Sequence, residues 1–247
     1  AAGETVILSD PALRPLDQLQ VPALASDQSM GRMPAGAAEL RLYDKDAITP
    51  GRENAVAGDG PVVLAPTFAP DGGFFDGPVD VTIHAAEPEH TVRYTVDGSP
   101  PTPQSPVLTG PLHLAASTVV RVMASDAEGR GSAPESRSFF IGVEHQLPVV
   151  SLATTPSFLE FRDGYLYGLG PSVLSSQDQV LKNFPYNGSY AWLDREVEVA
   201  LEFFEPDHAV ALRQRAGMKI FGGWGSRGYP QKSFALFARR SYGAGKF

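Results

Sequence analysis

The 247-residue chain predicts a mostly β protein made of small sandwich modules in tandem. Three observations carry that expectation. Short runs such as 79–83 (VDVTI) and 91–96 (TVRYTV) alternate apolar and polar residues with a period of two, which sends successive side chains to opposite faces of a strand. Turn chemistry separates the runs, as at Asp71-Gly72-Gly73, Asp76-Gly77-Pro78, Asp97-Gly98-Ser99 and Thr109-Gly110-Pro111. No apolar stripe of helical period runs longer than about three turns, so long helices are not expected.

The first segment spans 1–57. The run GETVILSD reads as a strand ended by Pro11, LDQLQVPAL as a second, and AAELRLYDKDAITPGREN as a third followed by a turn. Two or three strands are too few to close a sandwich, so the segment either docks on its neighbour or is half of a domain. The order of Gly3-Glu4-Thr5-Val6, then Ser29-Met30-Gly31-Arg32-Met33-Pro34, then Thr49-Pro50-Gly51 with Asn54, resembles the C-terminal half of a lamin-tail domain. The resemblance implies a small immunoglobulin-like β-sandwich. A small, polar, turn-forming linker, residues 56–61, follows.

The second segment spans 61–142. Beyond the two strands already named, Leu112-His113-Leu114, the run 118–124 (TVVRVMA) and the run 137–141 (RSFFI) read as strands. Short strands at this spacing predict a β-sandwich. The linked pieces Pro66-Thr67-Phe68, Gly72-Gly73-Phe74-Phe75, the run 93–102 (RYTVDGSPPT) and Thr109-Gly110-Pro111 resemble the chitobiase C-terminal-like, fibronectin-III-associated domain. That resemblance covers nearly the whole segment. It implies an accessory sandwich without chemistry of its own.

The third segment spans 144–247. Strands are expected at 147–152, 195–204, 217–221 and 232–239, a helical turn near Phe158, and a polar loop up to about Tyr190 in which SVLSSQDQVLKNF has the makings of one short helix. The runs LPVVSL (147–152), EFFEPD (202–207) and GMKIFGGWGSRGYPQKSF (217–234) resemble the N-terminal region of CotH-type proteins, an atypical kinase family. The whole then reads as tandem immunoglobulin-like β-sandwich modules followed by an incomplete α+β CotH-type region.

Composition limits function. The chain is 43% hydrophobic and 19% charged, which suits packed cores, and its lack of cysteine excludes disulfides, thiolate zinc sites and a cysteine nucleophile. A net charge of -8 disfavours nucleic acid as a partner. No run approaches the roughly 20 apolar residues of a membrane span. Residues 213–246 hold eight cations, from Arg213 to Lys246, and no acidic residue. They read as a solvated strand face balanced by the acidic segment 196–207.

Chemistry concentrates at 222–234. Gly222 and Gly223 let backbone N–H groups approach an anion, and Arg227 and Lys232 supply positive charge, so the stretch is compatible with a nucleotide phosphate. It lacks the GxxxxGK[ST] spacing of a P-loop, and taken by itself an ordinary glycine-rich hairpin is the stronger reading. The resemblance implies that Lys232 reaches the α/β phosphates of ATP in the full-length parent, with Mg²⁺ held by carboxylates farther along the chain. Gly222, Gly223, Arg227 and Lys232 are therefore the candidate nucleotide-binding residues, with no catalytic residue and no cofactor assigned within these 247 residues.

Other groups read as structural. The five histidines show no metal-ligand spacing. Glu202 and Glu205 read as the solvent face and the turn of one strand. Asp163, Asp178 and Asn187 lack EF-hand spacing. Trp192, Trp224, Tyr186, Tyr190 and Tyr229 read as core and loop-packing aromatics ahead of a sugar-stacking platform. The expected function is that of structural and interaction modules from an exported bacterial protein, extracellular or on the cell surface, whose signal sequence lies upstream. Other protein domains or surface components are its expected partners. A polysaccharide bound by the second segment is the alternative, as is the nucleotide-binding half of a kinase.

Overall fold

A computed structural model describes residues 4–22, 24, 29–32, 40–43, 62–160, 164–177, 179–242 and 245–247. The linker and much of the lamin-tail resemblance (Gly3, Met33, Pro34, Thr49-Pro50-Gly51 and Asn54) lie outside the described residues, as do Asp163 and Asp178. The first segment forms two hairpins. Strand β1 (Glu4–Ser9) pairs antiparallel with β2 (Pro15–Val21), and β3 (Ser29–Arg32) with β4 (Leu40–Tyr43). Asp10 closes the first turn by accepting the N–H groups of Ala12 and Arg14, both at 2.9 Å, the local bonding that favours Asp in turns. The Val62 N–H donates to the Leu40 carbonyl at 3.0 Å and ties β4 to the next module.

The second module is a two-layer sandwich. Its strands are β5 (Thr67–Ala69), β6 (Gly73–Phe75), β7 (Val79–His84), β8 (Thr91–Thr95), β9 (Leu112–Leu114), β10 (Thr118–Ser125) and β11 (Glu135–Ile141). One sheet has the order β5-β7-β9; the other runs β6-β11-β10-β8, with β6 parallel to β11. Alternation places Val81, Ile83, Val92, Val120, Val122 and Phe139 between the layers. Each such side chain contributes about 1.5–3 kcal/mol by leaving water.

The third region is an antiparallel sheet in the order β12 (Val149–Ala153), β13 (Val197–Phe204), β14 (Val210–Ile220), β15 (Phe234–Phe237). Val197, Val199, Leu201, Ala216 and Met218 share one face and pack with Leu166 from the preceding loops. The opposite face carries Glu198, Glu202, Phe204, Arg213 and Arg215, and it turns toward the outer face of the sandwich sheet β6-β11-β10-β8. A helical turn does form near Phe158, as a 3-10 turn at Pro156–Leu159.

One local expectation holds and one needs correction. The loop expected up to about Tyr190 is a loop: residues 172–177 and 179–190 form no α-helix and make turns, a Leu174–Val180 bridge and the start of a 3-10 turn at Tyr190–Trp192. The small polar residues of that stretch bond their own backbone instead, as when Gln177 and Gln179 donate N–H to Ser175 Oγ. The strand at 217–221 is the end of an eleven-residue strand, β14, whose earlier half is polar because it faces the junction.

Candidate functional site

Two places gather chemistry. The first is the glycine-rich stretch. It leaves β14, passes Gly222 at φ 108°, and forms the short helix α1 (Trp224–Gly228) before β15. A Cβ on Gly222 would collide with Ser226, so only glycine fits that turn. The fold brings Gly222, Gly223, Arg227 and Lys232 together. Arg227 Nε donates to the Gly222 carbonyl at 2.7 Å and Nη1 to the Ala191 carbonyl at 2.6 Å. Lys232 is only 9% exposed; its Nζ donates to the carbonyls of Arg227 and Tyr229 at 2.8 and 2.9 Å and stands 5.1 Å from the Tyr167 ring centre. Burial lowers the ammonium pKa. Lys232 thus caps the open carbonyl end of α1, and Arg227 binds the loop before the helix to the 190–192 turn.

The second place is the junction between sandwich and third sheet. Arg121 on β10 is 2% exposed. Its Nη1 donates to the Gly98 carbonyl at 3.0 Å, and its Nη2 lies 3.7 Å from Glu198 of β13. Arg215 reaches the same carboxylate at 3.3 Å. Glu202, expected on a solvent face, is 3% exposed and accepts from Arg213 at 2.8 Å. These two residues are register partners across β13 and β14. Arg213 also reaches Asp71, which receives Arg137 at 2.6 Å as well. Ser138 and Ser151 hydrogen bond across the layers at 2.7 Å. At one end Phe74, Phe140, Phe204 and His208 form a ring cluster, with the His208 ring stacked 4.0 Å from Phe74. A cleft of about 470 Å³ opens beside the junction, lined in part by Val63, Pro134, Gln214 and Tyr242.

The acidic segment 196–207 does balance the cations after 213, through Glu196–Arg239, Glu198–Arg215 and Glu202–Arg213. The face is not solvated at its centre, however, because a second sheet covers it. Arg121 and Asp71 escaped the sequence reading. Arg121 is the one charged residue in an otherwise apolar strand run, TVVRVMA, and that is the signal that marks it.

Residues 70–136 match the chitobiase/beta-hexosaminidase C-terminal domain. The matched span runs from the cis proline at the end of β5 to the second residue of β11 and so takes in most of the sandwich. The sandwich side of the junction, Asp71, Gly98 and Arg121, lies within the matched span. No curated protein matches the chain. Among the described residues, no group of three His, Asp or Glu is placed to hold a metal ion, and no helix is long and apolar enough to cross a membrane.

The junction is acid-sensitive in a predictable direction. Burial alone would raise the Asp71 pKa; the hydrogen bonds and charges of Arg137 and Arg213 outweigh it and hold the carboxyl below the usual carboxylate range. A group depressed in the folded state contributes stability above its unfolded pKa, lost as pH falls through the folded value. Asp71→Asn is expected to cost about 1 kcal/mol at pH 7, as a partly exposed network does. The gap to the unsubstituted protein closes below about pH 4. Thermal midpoints from pH 7 to pH 2 check this; a gap that stays constant refutes it.

Proposed function

We propose that this chain is a rigid accessory unit of a carbohydrate-active protein, in which the chitobiase C-terminal-like sandwich and the sheet after it act as one body. The observation that carries the reading is Arg121. A guanidinium buried between two modules, bonded to a carbonyl of one and facing a carboxylate of the other, is costly unless the modules stay together. Tandem modules on flexible linkers keep their junctions wet and polar at the rim. In its finer form the proposal makes the parent an exported, multidomain, CotH-type bacterial protein, supported by the runs at 147–152, 202–207 and 217–234.

Trp192 and Trp224, both in the third region, are the protein's two tryptophans. Their fluorescence reports that region, whereas far-ultraviolet circular dichroism reports all modules. Urea denaturation should give coincident midpoints from 62 onward by the two probes. A fluorescence transition clearly separated from the main circular dichroism transition would sink the one-body reading. A nucleotide phosphate at 222–232 would have to displace the Arg227 and Tyr229 carbonyls from Lys232, and the described geometry supplies no observation in its favour.

A further inference from the structure

The third region carries an aromatic face built by the loops 180–192 and 221–232. Phe184 is its keystone, 5.0 Å from the Tyr229 ring, 6.2 Å from Trp224 and 6.0 Å from Tyr186. Phe184 lies directly on Gly228, where a Cβ would strike its ring. The loops are braced by hydrogen bonds: Trp192 Nε1 donates to the Pro185 carbonyl at 2.9 Å, Arg227 to Ala191, and Lys182 Nζ to the Asn187 carbonyl at 3.0 Å. The outer rings are left in solvent, Trp224 at 65% and Tyr229 at 59% exposed. Sequence expectation made both of these packing aromatics; the structure packs Trp192 and Tyr190 and exposes Trp224 and Tyr229. Adjacent exposed aromatics held on braced loops mark an interaction surface.

Charge narrows the ligand. Residues 179–192 and 221–233 include Lys182, Arg227 and Lys232 and no Asp or Glu, on a chain of net charge -8. Backbone carbonyls, not carboxylates, accept the hydrogen bonds of these three cations within the two loops. The nearby Asp194 is held by Lys219 at 2.9 Å and also feels the charge of Arg227. We infer that this face binds an acidic polysaccharide, with sugar rings laid on Trp224 and Tyr229 and their carboxylates drawn to the exposed Lys182. The apolar C–H face of a pyranose suits an exposed ring, and one charge per sugar suits a small cationic patch. A duplex nucleic acid, with a charge about every 1.7 Å along its axis, is far more densely charged and is repelled by the rest of the acidic chain. The inference rests on the accessory reading above and gives it a ligand class.

Affinity electrophoresis of the whole chain at pH 7 tests it, with polygalacturonate, its methyl ester, or double-stranded DNA in the gel. Polygalacturonate should retard the protein, the methyl ester at least several-fold less, and DNA not at all. Trp224→Ala with Tyr229→Ala should weaken retardation at least tenfold, and Lys182→Glu several-fold. Trp224 and Tyr229 are exposed and Lys182→Glu loses one exposed hydrogen bond, so the variants should keep a urea midpoint close to the parent's. No retardation by polygalacturonate, equal retardation by the methyl ester, stronger retardation by DNA, or undiminished binding by folded variants would each overturn the inference. The coincidence of denaturation midpoints is read separately, so failure of the one-body reading is distinguishable from failure of this one.

Discussion

Arg121→Ala is expected to destabilise the chain by about 3 kcal/mol, while Arg121→Met costs less than about 1.5 kcal/mol. Both substitutions leave the Gly98 carbonyl without its 3.0 Å donor, and the alanine also removes the bulk that fills the junction. The desolvation of the guanidinium, which already lowers its pKa against the pull of Glu198, is relieved in both variants. Methionine keeps most of the volume, and Glu198 keeps Arg215. Shape and cavity filling would then dominate over charge. Urea midpoints with unchanged m-values measure the pair. Equal losses for both substitutions would mean that the ionic contact itself holds the modules.

Gly98→Ala should cost about 2–4 kcal/mol, more than most substitutions at an exposed turn. Gly98 has φ 89°, a region that costs a residue with a Cβ roughly 1–2 kcal/mol. Its Cβ would also stand 2.9 Å from the Thr154 carbonyl oxygen of the next region, a backbone atom with little freedom to move. Gly129→Ala separates the two effects. Gly129 has φ 82° and nothing within 4 Å of an added Cβ, so it should lose only about 1–2 kcal/mol. If the two variants lose equal stability, the Asp97-Gly98-Ser99 turn is not a docking point.

Five of the seven strands of the sandwich, β7 to β11, were legible because their alternation is local, whereas β5 (TFA) and β6 (GFF) show no such alternation over their three residues. Val79-Asp80-Val81-Thr82-Ile83 sends Val81 and Ile83 inward whatever lies beyond the sheet. The turns were legible for a similar reason: Asp97 accepts the Ser99 N–H within its own turn. The candidate phosphate residues were legible as a cluster, since Gly222, Gly223, Arg227 and Lys232 lie within eleven positions. Where their donors point was not, because the Ala191 carbonyl that takes Arg227 lies 36 residues upstream.

Glu202 shows where the limit falls. Its neighbours Leu201 and Phe203 and the alternation of β13 made it polar and therefore outward. Outward it is, away from the core of its own sheet, yet buried, because a second sheet supplies Asp71 to Arg213 and closes the space. The sequence by itself determined that the chain is mostly β, where the sandwich strands β7 to β11 run, and that one span is chitobiase C-terminal-like. Only the tertiary structure decided which polar faces meet water and which meet each other, and which aromatics are left bare. A period of two assigns a side chain to one of two faces; what covers that face comes from residues tens to more than a hundred positions away, such as Asp71 opposite Arg213.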